Sequence, residues 1–179
     1  MRLADQLTVA RIMAVPLVVA LYALNFGNHD YWATGAFIAA MSTDWLDGQV
    51  ARRSGYGTEL GSLLDPIADK ILVLAVLVVL VDRGVFAGWM VAAIVIREFL
   101  VTGLRLAALE RGVVLHARDL GKLKTWSQAT AAALGGFAAA GAWDDSVAWW
   151  ALLAAVAVTW ISGLDYARVA PQVLRGRAA

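Results

Sequence analysis

The chain has 179 residues, 61% of them hydrophobic and only 16% charged, with a mean hydropathy of +0.69; a single domain this apolar excludes an ordinary soluble protein and reads as an integral membrane protein. Its formal net charge of +1 says nothing by itself about nucleic acid, because distribution matters more than the sum, and no nucleic-acid partner is expected. The absence of cysteine excludes disulfides and thiolate metal sites.

A membrane-crossing helix needs about 20 mostly apolar residues. Six segments meet that need, at about 8–25, 33–52, 61–82, 88–109, 123–142 and 147–168. The expected fold is therefore an all-α membrane domain of six transmembrane helices over residues 1–179. The first residues, MRLADQL, are too short to span and are expected to form a small interfacial segment. Arg2 and Asp5, with no small-residue cleavage site after the first apolar run, argue against a signal peptide. Turn signals join the segments: NFGNHD, RRSGYG, DRG, ERGVVLHARDLGK and WDDS. The fifth segment carries ATAAALGGFAAAG, whose small residues predict close helix packing.

Six spans put both termini on one side. That side holds Arg2, Arg52, Arg53, Arg105, Arg111, Arg118, Lys122, Lys124, Arg168, Arg175 and Arg177, whereas the opposite loops hold Arg83 with Asp30, Asp82, Asp144 and Asp145. The positive-inside rule assigns the basic side, with both termini, to the cytoplasmic face of the cell membrane. Trp32, Trp89, Trp143, Trp149 and Trp150 fall near span ends, as an aromatic belt would. His29, in an outer loop, and His116, in a cytoplasmic loop with no spaced partner, do not read as catalytic, and Asp144 and Asp145 read as solvated.

Between the second and third apolar runs lies DWLDGQVARRSGYGTELGSLLDPIADK, residues 44–70. Asp44 and Asp47 are three apart and Asp65 and Asp69 four apart, so each pair shares one face of a helix. The short connection makes the two helices antiparallel neighbours and brings all four carboxylates to one depth at the cytoplasmic boundary. Four such charges do not all stay ionised without compensation. Partial protonation, as in a cation or proton transporter, is one resolution. Two divalent cations are the other, and an all-oxygen set favours Mg²⁺ or Mn²⁺. Gly48, Ala51 and Gly61 leave room for a phosphate near the backbone, and fit helix packing equally well. Pro66 disfavours α conformation at Asp65 and is expected to kink or start the third helix. Arg11, Glu59 and Lys70 are expected close enough to the cluster to support its residues only, not to act in it.

The pattern D-x-x-D-G-x-x-A-R, eight residues, then G-x-x-x-D-x-x-x-D, formed by Asp44, Asp47, Gly48, Ala51, Arg52, Gly61, Asp65 and Asp69, resembles the signature of the CDP-alcohol phosphatidyltransferases without departure. The resemblance implies displacement of CMP from a CDP-linked alcohol by a second alcohol, two divalent ions, a site at the cytoplasmic membrane surface and a homodimer. It assigns the general-base role to the last aspartate, Asp69; Gly48, Ala51, Arg52 and Gly61, beside the cluster, are the candidate diphosphate-binding residues. Further stretches, QLTVARI (6–12), LLDPIADK (63–70), IREFLVTGLR (96–105) and DLGKLKT (119–125), are most similar to the branch that joins CDP-diacylglycerol to sn-glycerol 3-phosphate. A branch with phosphatidylglycerol as acceptor, making cardiolipin, is the nearest alternative.

The basic residues suit an anionic acceptor. Arg97 lies inside the fourth span, where an unpaired guanidinium is costly, and Arg105 follows on roughly the same face. Glu98, adjacent to Arg97, is expected to point elsewhere and to be a poor partner for it. Arg118, Lys122 and Lys124 complete a candidate phosphate site, and ordinary positive-inside topology accounts for these loop charges equally well.

Overall fold

The computed structural model describes the backbone of residues 3–24, 26–54, 59–110 and 119–174, and within these the side chains of 10, 12–24, 26–42, 70–108, 110 and 123–164. The described residues form six α-helices and no strand: α1 (Leu3–Ala23), α2 (His29–Ser54), α3 (Glu59–Asp82), α4 (Gly88–Glu110), α5 (Asp119–Ala139) and α6 (Asp145–Leu174). Each expected segment has its helix, and most helices run past the apolar stretch that announced them. One expectation changes: residues 3–7 are the first turns of α1, not a separate interfacial piece. A second concerns Pro66. Since α3 begins ahead of it, at Glu59, the proline does not start the helix.

Two of the turn glycines act as helix stops. Gly84 and Gly141 have φ of 77° and 79°, a conformation that costs a side chain and suits glycine. Beyond them the Val85 N–H reaches the Leu80 carbonyl and the Ala142 N–H reaches that of Phe137, closing the last turns of α3 and α5. Asp144 caps the start of α6, its carboxylate accepting the Ser146 N–H at 2.8 Å. Hydrogen bonds from Ser146 hold that exposed carboxyl below its usual range. Asp144 and Asp145 are both exposed, as expected.

The buried faces follow helical periodicity. On α3 they are Leu72, Val76 and Leu80 with Val73 and Leu77; on α6, Ala148, Leu152, Ala155, Thr159 and Ser162 form one stripe. α5 packs most extensively, chiefly on α6 and also on α2 and α3. Its small residues make that possible: Ala131 and Ala132 are fully buried, and a Cβ on Gly135 would run into Leu80 and Phe86. The packing expected of ATAAALGGFAAAG is observed.

Side-chain contacts gather several helix ends at one pole. The Arg83 guanidinium, just after α3, donates to the Tyr22 carbonyl of α1 at 2.6 Å and to Asp30 of α2 at 2.9 Å. Tyr31 of α2 and Trp143 both stack near Phe137 of α5. The helices thus alternate in direction, and the C-terminal ends of α2 and α4 and the N-terminal ends of α3 and α5 lie toward the opposite pole. Among the described residues α2 and α3 touch only slightly, because α1 packs against both. They run antiparallel as expected, but they are not close neighbours along their length.

One stretch among the described residues, Asp145–Leu164, is long and apolar enough to cross a membrane, with mean hydropathy 1.8; Ile12–Ala23 is apolar but shorter.

Candidate functional site

The aspartate-bearing segments lie on helical backbone near the C-terminal end of α2 and the N-terminal end of α3. The i, i+3 and i, i+4 spacings therefore place 44 with 47, and 65 with 69, on single helix faces. The side chains of Asp44, Asp47, Asp65 and Asp69 lie outside the described residues, as do those of Arg52 and Lys122 and the surroundings of Gly48, Ala51 and Gly61. Arg118 and His116 lie outside them altogether. As a donor set, four hard carboxylates with no cysteine in the chain fit Mg²⁺ or Mn²⁺. Among the described residues no group of three or more potential metal ligands occurs.

The described part of the site is a buried polar cluster toward the same pole. Arg97, Glu98 and Lys124 are 3%, 4% and 7% exposed. The Glu98 carboxylate is its centre. Its Oε1 accepts from Lys124 Nζ at 2.6 Å and from Arg97 Nη1 at 3.3 Å, while Lys70 Nζ lies 3.6 Å from Oε2. Lys70 also donates to Thr102 Oγ1 at 2.8 Å, and Arg97 Nη2 donates to Ser162 Oγ at 2.7 Å. Gly163 makes the space for this arginine, since a Cβ there would stand 3.1 Å from Arg97 Nε. Nearby, Gln128 Nε2 donates to Thr159 Oγ1 at 2.9 Å and ties α5 to α6.

The expectation that Glu98 is a poor partner for Arg97 is corrected. The buried stripe of α4 includes Met90, Val91, Ile94, Arg97, Glu98 and Val101, so it is wide enough to take two adjacent positions inward. The long arginine then swings its head back to its neighbour. Two expected acceptor residues, Arg97 and Lys124, are thereby brought together, with Lys70 joining them; Arg105 lies half-buried further along α4. Sequence reasoning missed Glu98, Thr102 and Ser162. The available signal was a carboxylate inside the apolar run IVIREFLV, which needs buried cations around it.

A groove of about 410 Å³ runs between α2 and α5. Phe37, Ile38, Met41, Ala129, Ala133 and Phe137 line it; Trp143 stands at one end, and Ser42 and Thr125 at the other, beside the positions of Asp44 and Lys124.

A family model described as CDP-alcohol phosphatidyltransferase matches residues 1–161. A Bacillus subtilis protein named CDP-diacylglycerol–glycerol-3-phosphate 3-phosphatidyltransferase is 41% identical over 138 residues, covering 70% of this chain and 72% of its own length. A Mycobacterium tuberculosis protein named probable phosphatidylglycerophosphate synthase is 38% identical over 169 residues, covering 92% of this chain and 79% of its own. A rice protein named cardiolipin synthase (CMP-forming) is 38% identical over 139 residues, covering 70% of this chain but 42% of its own.

Proposed function

The chain belongs to the CDP-alcohol phosphatidyltransferase family, and from that premise we propose that it transfers a phosphatidyl group from CDP-diacylglycerol to sn-glycerol 3-phosphate, giving phosphatidylglycerophosphate and CMP in phospholipid biosynthesis. The observation that carries the choice of acceptor is the buried pair Arg97 and Lys124, with the half-buried Lys70 beside them, cations held where a phosphate dianion gains most from them. Phosphatidylglycerol as acceptor is a second reading, favoured by the rice relative.

In this reading Asp44, Asp47, Asp65 and Asp69 hold two Mg²⁺ ions, with Mn²⁺ able to substitute. Bound there, the ions supply positive charge against the donor's diphosphate and the departing CMP. Arg52 adds a guanidinium, and Gly48, Ala51 and Gly61 admit the phosphates. Arg97, Arg105, Arg118, Lys122 and Lys124 hold the acceptor's phosphate and so orient its C1 hydroxyl. That oxygen bonds to the phosphorus carrying diacylglycerol as the bond to CMP breaks, and its proton passes to Asp69.

The six helices cross the cell membrane, with both termini and the site on the cytoplasmic face. Support comes from the outer surface: large apolar side chains are exposed on every helix, among them Leu17, Trp32 (67%), Val78, Phe99 (72%), Trp126 and Trp150, a distribution water would penalise. A homodimer is part of the proposal on family resemblance alone. The groove between α2 and α5 suits a donor acyl chain, since it is apolar and ends beside the position of Asp44. Filling it with Ala129→Trp should raise the KM for CDP-diacylglycerol about tenfold, the equivalent of ~1.4 kcal/mol, and leave the KM for glycerol 3-phosphate unchanged.

The deciding experiment is CMP release from CDP-diacylglycerol by the purified protein in detergent. Release is expected only with Mg²⁺ and glycerol 3-phosphate together, and EDTA should abolish it. Release with phosphatidylglycerol alone moves the protein to cardiolipin synthesis. No release with any acceptor, joined to cation uptake into proteoliposomes, would favour the transporter reading.

A further inference from the structure

We propose that Glu98 is a positioning residue for the transfer: its buried carboxylate sets the place of the cations that receive the acceptor's phosphate. The inference rests on the acceptor reading above and adds to it a residue that touches neither substrate.

A carboxylate in the middle of an apolar helix is costly unless it is paired and hydrogen-bonded. One lysine would be partner enough. Glu98 instead engages three cations on three helices: Lys124 of α5 at 2.6 Å, Arg97 of α4 at 3.3 Å and Lys70 of α3 at 3.6 Å. Through Arg97 it is linked to Ser162 of α6 at 2.7 Å. Three helices thus meet at one side chain and a fourth is tied in through Arg97, and Lys70 directly follows Asp69 in the sequence. The arrangement fixes the basic residues without exhausting Lys124. An ammonium has three N–H donors, and among the described residues Lys124 spends one, on Glu98, leaving two to aim at an anion. Two oxygens of one rigidly held carboxylate thereby set the relative positions of Lys124, Arg97 and Lys70. A phosphate dianion needs such spacing, whereas loose surface lysines would have to be ordered at the moment of binding.

The test is steady-state kinetics of the full-length protein in detergent, with each substrate varied in turn. Glu98→Gln should raise the KM for glycerol 3-phosphate by about tenfold or more while the KM for CDP-diacylglycerol stays within about twofold. Glu98→Asp, which keeps the charge one methylene short, should recover part of that loss. A double-mutant cycle supplies the stricter readout: in a Lys124→Met background, Glu98→Gln should change the acceptor KM by less than about threefold, because most of its effect passes through Lys124, its shortest contact at 2.6 Å. If Glu98→Gln alone fails to fold, the double variant against Lys124→Met carries the test, since that pair is removed together. Equal rises in both KM values, a lowered melting point with both KM values intact, or multiplying effects in the double variant would overturn the inference. A wild-type protein that ignores glycerol 3-phosphate would sink the acceptor reading and this inference with it. A failure of the inference alone appears only in the variants.

Discussion

Asp69→Asn should leave a folded protein that still binds CDP-diacylglycerol and releases CMP at least about a thousandfold more slowly, within the range expected for losing a general base. The substitution is nearly isosteric, so packing is preserved, while one negative charge and one proton acceptor are removed. Both proposed roles of Asp69, base and metal ligand, are lost at once. They can be told apart. Loss of a ligand should be relieved in part by excess Mg²⁺, which raises occupancy of a weakened site; loss of the base should not. Donor binding is the control, measured as CDP-diacylglycerol-dependent thermal stabilisation. Turnover near the wild-type rate would remove Asp69 from the mechanism altogether.

Gly136→Ala should lower the thermal midpoint, although alanine favours a helix over glycine by up to ~1 kcal/mol. The opposing effect is larger. A Cβ at Gly136 would run into the Thr34 and Tyr22 hydroxyls, which are paired with each other at 3.0 Å and fully or almost fully buried. Thr34 is further tied to the Asp30 carbonyl at 2.7 Å, so it cannot turn away cheaply. Overpacking of this kind costs roughly 1–3 kcal/mol, and a strained buried hydroxyl pair adds to it. The net loss of ~1–3 kcal/mol corresponds to a fall of roughly 2–12 °C for a chain of this size. Gly103→Ala on α4 is the matched control: nothing lies within 4 Å of its Cβ and the position is exposed, so the same change should be neutral or stabilising. Equal midpoints for the two variants would show that α5 can move off α1 and α2 at little cost.

The sequence by itself determined what depends on local periodicity and on residue type. Six apolar segments became six helices, and the glycines of DRG and AAAG became helix stops, because helix length and positive φ are properties of a few consecutive residues. The run of alanines and glycines in 129–141 announced a close-packed helix, because only small side chains let backbones approach. The eight-residue pattern of Asp44, Asp47, Gly48, Ala51, Arg52, Gly61, Asp65 and Asp69 pointed to the family without any structure. What only the tertiary structure decided is which faces meet. The helical wheel put Glu98 and Arg97 about 100° apart and so parted them, yet the buried stripe of α4 is wide enough to turn both inward, and Lys124 and Lys70 arrive from other helices. The short connection between α2 and α3 implied close neighbours, yet α1 packs against both. The groove between α2 and α5 belongs to neither helix alone. Periodicity within a segment is set by bonds to the next turn, whereas partners across the bundle are set by the packing of all six helices at once, which no local spacing records.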